Sequence, residues 1–187
     1  MRRNLGYILC CCALAATLAS CSDSDSPPAD LESFYALDGK SFPIRSELFW
    51  EETGAESRPD QIRLREPVPG SSVYDLVILT PISGSGDLEG SYVYSKTGDI
   101  GTYDLIFVHG VNADDDFEWT TNGESGSRLE IAKVGKVDGR MVYTLQISSF
   151  RLNCGYWNYL AGEWVSIDFK EFIFQYQGPI AEADSTP

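Results

Sequence analysis

Histidine occurs once in these 187 residues, at position 109. That scarcity excludes a metal centre built on several imidazoles and makes any Ser-His-Asp triad depend on a single ring. No Gly-x-Ser-x-Gly elbow accompanies it, and Gly84, Gly86 and Gly90 lack both the spacing and the following helix of a nucleotide fingerprint. Cysteine is scarce where it would matter. Of the five, Cys10, Cys11 and Cys12 lie in an N-terminal apolar run, Cys21 closes that run, and only Cys154 falls in the remaining chain. The body therefore has no internal disulfide, no CxxC pair and no zinc set. Cys154 is either a small buried hydrophobe, the usual place of a free cysteine, or an exposed thiol. Cations are few as well. Fourteen Lys and Arg face 28 Asp and Glu, a formal net charge of −14, which excludes nucleic acid as a partner because a phosphate backbone needs clustered positive charge.

What is present begins at the N-terminus. Arg2 and Arg3 precede an apolar stretch over 5–18 and the small residues Ala19 and Ser20, the layout of a cleaved signal peptide over 1–20. The stretch is interrupted by Thr17 and falls short of the roughly 20 residues that span a bilayer. Leu18-Ala19-Ser20-Cys21 resembles the lipobox of bacterial lipoproteins. The resemblance implies cleavage before Cys21, acylation of Cys21, and attachment to the membrane through that lipid. Two or more acyl chains, at about 0.8 kcal/mol per buried methylene, hold such an anchor stably. The alternative is an ordinary secretory leader cut near Ala19, which leaves Cys21 a plain thiol.

Residues 21–33 read as a flexible acidic tether, since Ser22-Asp23-Ser24-Asp25-Ser26-Pro27-Pro28 cannot bury enough surface to offset the entropy of ordering. A dozen such residues reach on the order of 20 Å. The Ser/Asp run resembles the acidic export signal of Bacteroidota surface lipoproteins, which implies display on the outer face of the outer membrane. Read as a mere linker, it leaves the protein on the periplasmic face. Loss of Arg2 and Arg3 with the leader would take the formal charge from −14 to −16, suiting a displayed body kept apart by self-repulsion.

Residues 34–180 are expected to form one all-β domain and 181–187 a disordered tail. Short runs rich in Tyr, Phe, Val and Ile are punctuated by Gly, Asn and Asp, and none sustains helical periodicity past two turns. Asp38-Gly39 and Asp138-Gly139 each separate two such runs and supply the positive φ of a tight hairpin. Tyr74-Asp75-Leu76 and Tyr103-Asp104-Leu105 open two further strands. Met141, Tyr143, Leu145 and Ile147 alternate with smaller or more polar neighbours and should face inward. Near the end, Val165, Ile167 and Phe169 are apolar at odd positions, and Phe172, Phe174 and Tyr176 at even ones. That flip requires a bulge or bend at Lys170-Glu171. Residues 47–70 read as a short element around Leu48 to Trp50 followed by a long loop, given Pro59, Pro67 and Pro69. The expected architecture is an antiparallel β-sandwich, or alternatively a β-barrel, of roughly eight to ten strands. The opening Phe34-Tyr35-Ala36-Leu37-Asp38-Gly39-Lys40-Ser41-Phe42, the Tyr-Asp-Leu strand and the closing Phe172-Ile173-Phe174-Gln175-Tyr176 together resemble small lipoproteins of Bacteroidota. This implies compartment and fold class and brings no catalytic residues.

Three groups are candidate sites. Asn112, Asp114, Asp115, Asp116 and Glu118 crowd oxygen ligands as calcium requires, but they lack EF-hand spacing and read equally as an acidic, solvated hairpin tip. His109, ending an apolar strand before Gly110, reads as a capping or half-buried residue. Tyr156, Trp157, Tyr159 and Trp164 sit in a loop-like stretch with Asn153, Gly155, Asn158 and Gly162. Such rings stack on sugars or anchor a protein partner, or else close one end of the core. Of these, Trp164 is expected in the core and Trp157 partly exposed. The expected function is a non-enzymatic, lipid-anchored surface protein that binds a glycan or protein, needing no cofactor beyond a candidate calcium. A structural component of an envelope complex, or a hydrolase using unrecognised carboxylates, are the alternatives. With 28 acids in the chain, paired carboxylates alone identify no glycosidase.

Overall fold

Both Asp-Gly turns form as the sequence requires. In the computed structural model, which describes residues 31–52, 60–111, 119–158 and 162–182, Asp38 and Gly39 have φ of 49° and 79°, and Asp138 and Gly139 have 52° and 79°. Two consecutive positive φ values match the twist of the flanking strands. The first turn joins β1 (Phe34–Leu37) to β2 (Lys40–Pro43), and the second joins β9 (Arg128–Val137) to β10 (Arg140–Asn158). Between them run β3 (Leu48–Glu51), β4 (Gln61–Pro67), β5 (Tyr74–Pro81), β6 (Gly90–Tyr94), β7 (Thr102–Val111) and β8 (Trp119–Gly123), and β11 (Glu163–Glu182) follows β10. The described residues contain eleven strands and no helix, hence none long and apolar enough to cross a membrane.

All eleven strands belong to one mixed sheet. Its hydrogen-bonded neighbours run β11-β3-β4-β5-β7-β6-β9-β10, and β10 pairs again with β11, so the pairings return on themselves and a sandwich or barrel-like fold fits them. β1 and β2 extend from β11, and β8 from β10. Most pairings are antiparallel, as expected; two short parallel seams, Ile180 to Glu182 beside Leu48 to Trp50 and Val93-Tyr94 beside Thr102-Tyr103, join the layers.

The enclosed core is aliphatic and aromatic together. Leu64, Leu105, Leu129, Leu145 and Phe172 are fully buried, and Phe172 meets Phe107 at 5.3 Å and Phe150 at 5.7 Å between ring centroids. Leu145 and Ile147 face inward as the alternation indicates. Tyr143 packs against the core as expected, though half-buried; Met141, also expected inward, is half-buried too, and Val142 takes the buried position instead. The cause is a register shift against β9, which falls between Val142 and Tyr143.

The flip at Lys170-Glu171 is present as an irregularity. Phe172 pairs with Phe150 and Phe169 with Leu152, three residues of β11 against two of β10. Asp38 serves this bulge: its Oδ1 accepts from the Lys170 amide at 2.6 Å and the Glu171 amide at 3.0 Å. The later phase is the more deeply buried, and of the earlier one Phe169 packs against core Phe107 at 5.8 Å between ring centroids. Phe172, Phe174 and Tyr176 are buried, Phe169 is half-buried, and Ile167 is 37% exposed.

Three expectations are corrected. The loop assigned to 47–70 contains β4, whose Ile62, Leu64 and Glu66 all face inward. The inward carboxylate broke the apolar pattern; it is buried because it accepts from the amides of Arg45 at 3.0 Å and Ser46 at 2.9 Å. The loop-like stretch around 153–164 is the end of β10 and the start of β11. β11 also continues through Glu182, so residues 181 and 182, expected in the tail, are strand.

Candidate functional site

The paired ends of β10 and β11, with β8 alongside, carry a continuous outer face. Residues directly opposite in antiparallel strands share a side of the sheet. Trp157 lies opposite Trp164, Gly155 opposite Ser166, and Asn153 opposite Asp168, while Asn122 and Thr120 of β8 lie opposite Asn153 and Gly155. The alternate residues Leu152, Cys154 and Thr121 are buried on the inner side. Thr121 fastens β8 there, its hydroxyl accepting from the Phe107 amide at 3.1 Å.

Trp164 is 44% exposed on this outer face. This overturns its expected place in the core, and the reason is parity: if Val165 and Phe169 turn one way, residue 164 must turn the other. Trp157 is half-buried, in line with the partial exposure expected of it. The Trp164 indole lies over Gly155, where an added Cβ would come within 2.6 Å of Cζ2. Any side chain at 155 would run into this ring, so glycine is required where Trp164 packs against the sheet. Beyond the ring the face turns polar. Asn153 Nδ2 donates to Ser166 Oγ at 3.0 Å and to Asp168 Oδ1. Asn122, Glu124, Arg151, Asn153 and Asp168, together with Leu152 and Phe169, line an open cavity of about 260 Å³.

No family model, curated protein or solved structure matches the chain. The site therefore rests on its own geometry. A larger cleft of about 360 Å³ lies beside Ser33, Ser46, Glu47 and Arg140, but Arg140 there is already engaged by Glu47.

A second polar cluster holds β1, β5 and β7 together. Asp75, 1% exposed, accepts from Tyr35 Oη, from His109 Nδ1 at 2.9 Å and from the Gly110 amide at 2.9 Å. A bulge makes this possible: Tyr74 pairs with Val111 but Leu76 with Val108, and Gly110 at φ 72° accommodates the extra residue. Burial would raise the Asp75 pKa, but the hydrogen bonds from His109, Tyr35 and Gly110 outweigh it and hold the carboxyl below its usual value. The bond to Asp75 in turn raises the His109 imidazole above its ordinary value against the opposing effect of burial. Tyr35 is driven upward by burial and by this neighbouring carboxylate. His109 is thus half-exposed, as expected of it, and tied through one nitrogen to a buried acid.

The remaining candidates divide. Cys154 is buried, and desolvation pushes its thiol up to about 12. Tyr156 pairs through its backbone with Val165 and Trp119. Cys21, the calcium candidates Asn112, Asp114, Asp115 and Asp116, and Tyr159 lie outside the described residues. Among the described residues no three acidic, His or Cys side chains are grouped to hold a metal ion. Sequence reading named Trp157 and Asn153 but missed Asn122, Glu124, Arg151 and Asp168. The available signal was the glycine at 155, directly before Tyr156 and Trp157, which leaves room for a ring to cover it.

Proposed function

We propose that this protein is a lipid-anchored, non-enzymatic binding module. Cys21 would be the anchor, the acidic segment after it a spacer, and the outer face of β8, β10 and β11 the contact surface. The observation that carries the reading is the Trp164 indole, packed against Gly155 on the outer face and 44% exposed. Tryptophan is among the residue types that most often anchor an interface, and this one shares its sheet face with the polar residues of the cavity. The lipid anchor and surface display rest on the lipobox and Ser/Asp resemblances. Assembly by strand addition is less well supported, because the outer strand β2 carries exposed Lys40 and Pro43, the residue types that blunt an edge against pairing.

Hydroxyl-radical labelling of Trp164, read by mass spectrometry on intact cells and on the purified lipidated protein, tests this reading. Occupancy in the cell should protect Trp164 at least severalfold relative to the purified protein, while exposed Ile100 on a remote turn labels equally in both. Equal labelling of Trp164 in the two settings would sink the proposal.

A further inference from the structure

Resting on that binding role, we infer that the occupant of the β8, β10 and β11 face is a neutral oligosaccharide. The argument is one of matched surfaces. A pyranose ring has one face of C–H groups and an equatorial rim of hydroxyls. The protein offers an exposed indole at one end of the face and, beyond it, the Glu124 and Asp168 carboxylates that accept, the Arg151 guanidinium that donates, and Asn122, Asn153 and Ser166 that do both. The Asn153 amide is already oriented by Ser166 and Asp168, so this part of the site needs little ordering before hydroxyls replace water. Preorganisation of that kind lowers the cost of binding.

Size and charge narrow the ligand. Asp168 lies four positions after Trp164 on β11, about 13 Å along a strand. One sugar ring cannot both stack on the indole and reach the cavity, so more than one unit is required. The cavity, about 260 Å³, is smaller than the roughly 300–1,000 Å³ of pockets that enclose a drug-sized ligand. It suits one ring resting in an open groove. Around it Glu124 and Asp168 outnumber Arg151, and the whole chain carries −14, so uronic, sialylated and sulfated chains are repelled. A protein partner fits less well, since an interface core is more apolar than its rim, and the strand residues that follow Trp164 across this face, Ser166, Asp168, Asn153 and Asn122, are polar.

A glycan microarray carrying neutral and acidic oligosaccharides, probed with the purified lipidated protein in detergent, tests the inference. Wild type should retain neutral oligosaccharides and not acidic ones. Trp164→Ala should weaken retention about tenfold, the equivalent of about 1.4 kcal/mol. Asp168→Ala, an exposed change at the far end of the face, should weaken it as well with its melting temperature retained. Retention of no neutral glycan, or undiminished retention by both variants, overturns the inference. Protection of Trp164 on cells together with a blank array would remove the saccharide and leave the binding role. Absence of both would remove the two readings together.

Discussion

Replacing Asp75 by Ala strands three donors at once. The Tyr35 hydroxyl loses its acceptor in a site where Tyr35 is 2% exposed, and the Gly110 amide and His109 Nδ1 lose theirs. Each buried donor left unsatisfied costs about 1–3 kcal/mol, and removing one partner of a buried charged pair costs about 3–5 kcal/mol. His109 is half-exposed and can turn to water, so the lower figures apply to it. We expect a loss of about 3–5 kcal/mol for Asp75→Ala, against the roughly 5–15 kcal/mol that holds a typical domain folded. For a domain of this length that is a fall in Tm of roughly 6–20 °C.

Asp75→Asn keeps the shape and, through Oδ1, the bonds from His109 and Gly110, but sets an amide donor against the Tyr35 hydroxyl that Oδ2 had accepted from, and should cost about 1–3 kcal/mol. The pH dependence has a definite sign. His109 is raised above 6.5 in the fold, so its contribution is fully present below 6.5 and disappears as pH rises through the folded value. Asp75 is lowered below 3.8, so its contribution is present above 3.8 and disappears as pH falls through the folded value. The penalty for Asp75→Asn should therefore be largest between roughly pH 4 and 6.5 and smaller at pH 9. Urea melts of wild type and both variants across that range measure it. A loss under about 1 kcal/mol for Asp75→Ala, or a penalty for Asp75→Asn that grows toward pH 9, would refute the account of this cluster.

Other consequences are as specific. Cys154, buried with its thiol raised to about 12, should resist a thiol reagent in the folded protein at pH 8 and react at once in denaturant; rapid labelling without denaturant would contradict its burial. Cys21→Ala should abolish incorporation of a fatty-acid analogue, and undiminished labelling would remove the lipobox reading. If Asp114 to Asp116 bind calcium near 10 µM, a hundredfold excess should stabilise the protein by roughly 2.7 kcal/mol. An unchanged midpoint at constant ionic strength would leave them an acidic tip.

Local chemistry was the legible part of this fold. Asp38-Gly39 and Asp138-Gly139 fix their turns by backbone preference alone, and the parity flip between Phe169 and Phe172 required an irregularity wherever the strand lay. Non-local compensation was not legible. Glu66 looks like a loop residue until the Arg45 and Ser46 amides are seen to meet it. Asp75 and His109, far apart in the chain, meet only because a bulge at Gly110 turns β7. The site was half legible: the aromatic cluster stood out, but it reads as a loop until Asn153 is paired with Asp168. Trp164 was placed in the core because it adjoins an apolar alternation, when that same alternation puts it on the opposite face.

The account stands on Trp164 belonging to a contact face and not to the core, and a paired denaturant melt tests that most directly. Phe172→Ala, at a fully buried ring, should cost about 3–5 kcal/mol. Trp164→Ala removes a ring that is 44% exposed and should cost less than half as much, about 1–2 kcal/mol, chiefly from uncovering Gly155. A loss for Trp164→Ala equal to that of Phe172→Ala would show a ring that holds the fold together, and the proposed binding face would lose its central residue.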